Sequence, residues 1–256
     1  MANPESIGSI LSGMQMTRPR TGFVSRTEGE VMTREQLLPY WDFFVSLGRL
    51  RTPNFKCDND NAFTYSNLIR WALADPSCKA IDPETGEVVD AALNKGIYIC
   101  GKTGTGKSLA LDLLRDFACR CRGHGCVFNG NYENLGWQNY RADDIVDRFC
   151  EGESLRWMKK ATMLGIQDLG SEPTEAIYMG NRHELLRLIL ESRADYSTMT
   201  FVSSNFPMLS TELRQKYGDR VQSRCREMFN YYVLGGEDRR IGKTNKNQDY
   251  GQQALR

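Results

Sequence analysis

The 256-residue chain has no apolar run near the roughly 18–20 residues a bilayer-spanning helix needs, so no membrane helix is expected. Its start, MANPESIGSI, lacks a basic stretch followed by an apolar one, so no secretory leader is expected and the cytoplasm is the expected compartment. Charge of one sign is not in surplus either. Lys and Arg total 33 against 32 Asp and Glu, and a net charge of +1 provides no global field toward nucleic acid or membrane. Any contact with nucleic acid must therefore be a local patch. No internal repeat is present. Eight cysteines without a leader fit reduced thiols better than a disulfide framework. Cys119, Cys121, His124 and Cys126 could supply metal ligands, but their spacing matches no familiar zinc module, and packing thiols are the expected reading.

The rest is an ordinary soluble composition, 40% hydrophobic and 25% charged. One main core with an appendage suits this length. Residues 1–30, with Arg18, Arg20 and Arg26, read as a flexible basic arm. Residues 31–90 read as a helical N-terminal region. In Met32 to Leu50 the residues Leu37, Leu38, Trp41, Phe44 and Val45 fall at helical spacing, with Pro39 at a first-turn position or kink and Gly48 as a stop. A second helix is expected over Thr64 to Ala74, ended by Asp75-Pro76. DPETGE, Asp82 to Glu87, reads as a turn, and the last residues, 241–256, as a polar tail.

From Gly96 onward the pattern changes. GIYIC, Gly96 to Cys100, reads as a buried strand, and short β-like runs at Cys126–Asn129, Met163–Gln167, Met199–Ser204 and Tyr231–Leu234 alternate with helical stretches. That alternation predicts an α/β, doubly wound fold with a parallel sheet flanked by helices.

Directly after GIYIC stand Gly101, Lys102, Thr103, Gly104, Thr105, Gly106, Lys107 and Ser108, the GxxxxGK[ST] pattern, followed by the helical SLALDLLRDFA. Its glycines let backbone N–H groups turn around a polyphosphate, and the next helix aims its positive end at the same anion. Lys107 is expected to reach the β- and γ-phosphates of ATP, and Ser108 to offer its hydroxyl to Mg²⁺.

An ATPase of this kind needs a carboxylate at the end of a neighbouring strand. MLGIQDLGSEP supplies Asp168 there, a catalytic candidate and, with Ser108, the candidate Mg²⁺ ligand. Two successive acids are usual at such a strand end, whereas Gln167 precedes Asp168 here. Because adjacent strand residues face opposite ways, the spacing puts the neutral Gln167 at the metal position and aligns Asp168 with the water-orienting one. Slow or conditional hydrolysis is the expectation. Glu172 is expected to brace the metal strand or to belong to a helix start at Ser171 to Glu175.

KGIYICGKTGTGKS, GIQDLGSEP, TFVSSN and KYGDRVQSRCREMFNYYVLGGEDRR, in that order, resemble the DnaC-type helicase loaders and IstB-like transposition helper ATPases, a branch of the AAA+ proteins. The likeness spans about Lys95 to Arg240. It implies an AAA+ P-loop ATPase domain over residues 91–240, ATP with Mg²⁺ as cofactor, and self-assembly into a ring or filament. It further implies that Asn205 senses the γ-phosphate, with Ser203 and Ser204 as weaker candidates, and that Arg220 or Arg224 reaches a neighbouring subunit's site. Arg220 and Arg224, four apart, share one face if helical. Arg239 resembles a second phosphate-sensing arginine, although the usual helical lid is missing.

The resemblance implies a loader that an ATP switch assembles and that delivers a partner, such as a replicative helicase, onto DNA. Trp41, Phe43 and Phe44 are candidates for that partner's contact, with packing inside the chain as the other reading. Arg156, Lys159 and Lys160 are candidates for DNA, with a solvated helix face as theirs. A transposition helper on double-stranded DNA that recruits a transposase, and a nucleotide-bound scaffold that hydrolyses little, are the alternatives. A small-molecule kinase ranks last because it leaves Arg220 and Arg224 unexplained.

Overall fold

The computed structural model describes residues 25–121, 126–128, 131–132, 135–178 and 181–239. Most of the basic arm, with Arg18 and Arg20, lies outside the described residues, as do His124 and the polar tail.

A two-residue strand, β1 (Ser25–Arg26), precedes helix α1 (Arg34–Arg51). Thr33 starts α1 by a reciprocal cap: its hydroxyl accepts from the Gln36 N–H at 3.3 Å, and the Gln36 side-chain oxygen accepts from the Thr33 N–H at 2.8 Å. Pro39 sits inside this helix, beyond the first turn, and Gly48, expected as its stop, does not end it. Gly48 serves packing instead, since a Cβ there would come within 2.3 Å of the Phe55 ring. Helix α2 (Ala62–Ala72) lies two residues earlier than the sequence suggested and buries Leu68, Ile69 and Trp71. A hairpin of β2 (Lys79–Ile81) and β3 (Val88–Asp90) follows, and Asp82 closes its turn by accepting from the N–H groups of Glu84 and Thr85.

Strand β4 (Gly96–Gly101) is buried along its length and leads into α3 (Lys107–Arg120). Then come β5 (Cys126–Phe128), β6 (Asn131–Tyr132), β7 (Asn139–Arg141), α4 (Ala142–Cys150) and the short α5 (Arg156–Lys160). Strand β8 (Met163–Leu169) is followed by the antiparallel pair β9 (Ala176–Tyr178) and β10 (Asn181–His183). Helix α6 (Leu185–Asp195), β11 (Met199–Ser204), α7 (Thr211–Met228) and β12 (Phe229–Leu234) complete the described chain.

Seven strands form the main sheet in the order β3-β2-β12-β4-β11-β8-β7, the five from β12 to β7 parallel and the β2–β3 hairpin antiparallel. Helices cover both faces. Ile97 and Ile99 of β4 point into one apolar cluster with α1, α2 and α3, while Tyr98 and Cys100 point into another with α4, α6 and α7. The core is thus a mostly parallel sheet wrapped on both sides, with a phosphate loop leaving its central strand, β4.

Two strand assignments need correction. The run at Cys126–Asn129 does not join the parallel sheet, because β5 pairs antiparallel with β1 and β6 in a separate three-stranded sheet. The edge strand is β7, whose half-exposed Asn139, Tyr140 and Arg141 have no apolar run to signal them. The stretch read as a helical region with a turn at Asp82 to Glu87, 31–90, also extends the sheet through β2 and β3.

The aromatic residues of α1 pack inward. Phe44 is fully buried, its ring centroid 5.3 Å from Tyr65 and 5.8 Å from Phe117, and Phe43 lies 5.9 Å from Phe117. Trp41 is partly buried against the same cluster. Burying one such side chain is worth about 1.5–3 kcal/mol, so these rings fasten α1 to α3.

Candidate functional site

The site lies at the C-terminal ends of the parallel strands, the usual position for a ligand in an open α/β sheet. Between β4 and α3 the loop turns at Gly104 and Gly106, with φ of +83° and +93°, a left-handed backbone that a side chain would strain. Helix α3 then begins at Lys107. Lys107 is buried and donates from Nζ to the Lys102 carbonyl at 2.8 Å, and the Thr105 hydroxyl donates to the same carbonyl at 2.9 Å. Lys102 and Thr103 are exposed at the rim.

Opposite the loop, β8 contains a bulge. Ile166 pairs with Val202 and Leu169 with Ser204, so Gln167 and Asp168 together face the single residue Ser203 of β11. Asp168 is the displaced residue: its φ is +55°, and its N–H donates to the Ser203 hydroxyl at 3.0 Å. The Ser204 hydroxyl donates to the Leu169 carbonyl at 2.6 Å, fixing the other side of the bulge. Both serine hydroxyls are thus engaged in holding β8.

The bulge overturns the assignment drawn from simple alternation. Asp168, not Gln167, faces Ser108, whose hydroxyl donates to Asp168 Oδ1 at 2.9 Å. Gln167 turns toward α3, where its Nε2 donates to Asp112 Oδ1 at 3.0 Å and to the Ser108 carbonyl at 3.2 Å. Asp112 Oδ1 also accepts from Asn139 Nδ2 at 2.8 Å, and Asn139 Oδ1 from Trp137 Nε1 at 2.8 Å. A polar chain therefore runs from the edge strand to the start of α3. Gln167 is a donor held between acceptors, where a carboxylate would face a carboxylate.

Arg141, at the end of β7, completes the site. Its Nη1 lies 3.2 Å from Asp168 Oδ2, and its Nε and Nη2 grip Asp143 at 3.1 and 3.0 Å. Asp143 first, and Asp168 after it, raise the guanidinium pKa above its ordinary value, so it stays charged.

Other candidates lie further out. Glu172 is a brace: buried, it accepts from the Tyr217 hydroxyl and, at 2.9 Å, from the Gly170 N–H, while Lys216 Nζ donates to the Gly170 carbonyl at 2.8 Å. The loop after β8 is thereby tied to α7. Asn205 is exposed just beyond β11. Arg220 and Arg224 share one face of α7, as their spacing implied, after a break at Gly218 with φ of +85°. They turn to Asp195, at 3.5 and 3.9 Å, rather than to the phosphate loop, and Arg224 also pairs with Glu227 at 2.8 Å. Arg239 reaches the loop by its backbone, its N–H donating to the Gly104 carbonyl at 3.0 Å. Its guanidinium forks onto Asp58 at 2.7 and 2.9 Å. On α5, Arg156 and Lys160 are exposed and Lys159 is half-buried, with Lys160 Nζ 5.3 Å from the centre of the Tyr196 ring.

Burial raises the Cys119 thiol pKa and pushes that of Cys121 up to about 11, as expected of packing thiols. Among the described residues no group of three or more His, Cys, Asp or Glu is placed to hold a metal.

Sequence reasoning missed Asp112, Asn139 and Arg141. Asp112 was within reach, being four residues after Ser108 on the same helix face. Arg141 carried no signal, because only the β7–β8 register brings it alongside Gln167.

No protein-family model matches the chain, and no curated protein matches it in sequence. Solved structures do. The DnaC helicase loader is 18% identical with a TM-score of 0.49, the match covering 77% of this chain and 99% of that one. DnaI is 17% identical with a TM-score of 0.47, over 83% and 96%. AMPPCP-bound DnaA from Aquifex aeolicus is 17% identical with a TM-score of 0.42, over 72% and 49%. None reaches a TM-score of 0.5, and at that level the likeness carries no function with it.

The site's own chemistry is more informative. Turned loop backbone, a helix start and a buried lysine suit a polyphosphate. A serine hydroxyl beside a carboxylate is an oxygen-only donor pair, suited to a hard cation such as Mg²⁺ completed by phosphate oxygens and water. The residues present fit the polyphosphate of a nucleotide with Mg²⁺.

Proposed function

We propose that the chain binds ATP with Mg²⁺ at Gly101 to Ser108 and Asp168 and hydrolyses it slowly or when a partner stimulates it. On this reading ATP drives assembly with further copies of the chain, and the assembly loads or recruits a partner protein, such as a replicative helicase, onto DNA. The observation that carries the nucleotide reading is the closure of the phosphate loop by the Ser108–Asp168 hydrogen bond at 2.9 Å.

Each residue has a task. The amides from Lys102 to Ser108 bind the phosphates, and Lys107 exchanges the Lys102 carbonyl for phosphate oxygens. Ser108 and Asp168 would hold the metal, whose chemistry when bound is to neutralise charge spread over the phosphate oxygens. Asn205, exposed past β11, is the candidate contact for the terminal phosphate. Arg220 and Arg224 are about 60% and 40% exposed on a face turned from their own loop, which supports a role in a neighbouring copy's site. The order of motifs supports the loader reading, with DNA contact through Arg156, Lys159 and Lys160.

One observation favours a second reading, a nucleotide-bound scaffold with little turnover: Asp168 is turned to Ser108, and the neutral Gln167 beside it gives this strand end no second carboxylate. Light scattering with ADP and with a non-hydrolysable ATP analogue, each with and without DNA, tests the assembly. A large rise in mass with the analogue alone, lost in Lys107→Ala, is expected; an unchanged mass in every condition overturns the assembling loader.

A further inference from the structure

The metal position holds a feature that its expected chemistry does not require. Asp168 offers two oxygens: Oδ1 accepts from Ser108, and Oδ2 faces the Arg141 guanidinium at 3.2 Å. Arg141 is not a loose surface cation swinging past. Its Nε and Nη2 are fixed in a two-point grip by Asp143, near the start of α4, leaving Nη1 to point at Asp168. The β7–β8 ladder, pairing Arg141 with Gln167, sets that position from the backbone.

Two other charges nearby are committed elsewhere. Asp112 accepts from Gln167 and Asn139 and has Arg51 and Arg115 at 3.6 and 3.9 Å. Lys107 is turned to the Lys102 carbonyl. At the end of β8, then, there is one carboxylate where two would be usual, and a fixed positive charge already lies on it.

We propose that Arg141 competes with Mg²⁺ for Asp168 and thereby sets how much metal nucleotide binding requires. The inference rests on the ATP·Mg²⁺ reading given above. A divalent ion entering beside Ser108 meets a like charge that must be pushed aside or screened, and Gln167 contributes no compensating negative charge. The pair is half in solvent, with side chains 51% and 27% exposed, so the competition is modest.

The test is a Mg²⁺ titration of the full chain with a fluorescent ATP analogue, read by anisotropy after metal is stripped with EDTA. Arg141→Gln is expected to lower the Mg²⁺ concentration for half-maximal nucleotide binding about two- to fivefold, the range of an exposed ion pair. Arg141→Lys, which keeps the charge, should stay near the native midpoint, and matching melting temperatures exclude misfolding as the cause. If native protein binds the analogue in a Lys107-dependent way but Arg141→Gln leaves the midpoint unchanged or raises it, the competition is overturned while the nucleotide site stands. If neither native protein nor Lys107→Ala binds the analogue at any Mg²⁺ concentration, the nucleotide reading fails and the proposal fails with it.

Discussion

Replacing Gln167 by glutamate restores the acid that this strand end lacks, yet the structure predicts that it damages the protein. The new carboxylate would take the place of an amide that donates to Asp112 Oδ1 at 3.0 Å and to the Ser108 carbonyl at 3.2 Å. Two unit charges about 4 Å apart repel by about 4 kcal/mol at an effective dielectric constant near 20. Asp112 is 25% exposed and has Arg51 and Arg115 nearby, which screen much of that repulsion. Allowing for screening and for the lost hydrogen bonds, Gln167→Glu should cost about 2 kcal/mol. For a chain of this size that is a fall in Tm of about 4–8 °C. Adding Asp112→Asn should recover most of the loss, because the donor then comes from position 112 and the acceptor from position 167. Thermal unfolding of the native protein, both single variants and the double variant gives the coupling directly. A Gln167→Glu protein as stable as the native one, or a double variant no better than the single, would refute the argument.

Two further outcomes are expected. Phe44→Ala should destabilise the chain by about 3–5 kcal/mol by chemical denaturation, because its ring is fully enclosed by Tyr65 and Phe117; a loss below 1 kcal/mol would mean that α1 is not fastened as described. Arg239 holds the Asp58 carboxyl pKa below the usual carboxylate range, so the stabilising fork is present above the unfolded-state value near 3.9 and is lost as pH falls through the lowered folded value. The protection factor of the Arg239 amide, which donates to Gly104, taken against the intrinsic exchange rate at each pH, should therefore fall below about pH 4; a protection factor that stays flat there would argue against the link.

The parts of this molecule that were legible in its sequence are those encoded by consecutive residues or by burial on both faces. The phosphate loop is a contiguous string, and β4, β8, β11 and β12 are apolar runs because helices cover both sides of them. The edge strand β7 was not legible, since three half-exposed residues produce no pattern. Nor was the β5 pairing, because an apolar run does not tell one sheet from another. The site divides in the same way. Lys107 and Ser108 could be named in advance, and the shared face of Arg220 and Arg224 followed from their spacing. The facing of Gln167 and Asp168 could not, since alternation assumes an unbroken ladder. Arg141 reaches Asp168 only through strand register, a contact between residues 27 apart that no local window contains.

The bulge at Asp168 has one more consequence. It makes the order Gln-Asp irreversible: in an Asp-Gln version of the same strand, the carboxylate would be driven against Asp112, and an amide on left-handed backbone would meet Ser108. The two versions have identical composition and hydropathy, and a comparison that scores only whether an acid is present would treat them as equivalent. What identifies the residue that faces Ser108 is the phase of the strand, so the chain's relatives are better judged by whether they share the extra residue than by which of the two positions carries the acid.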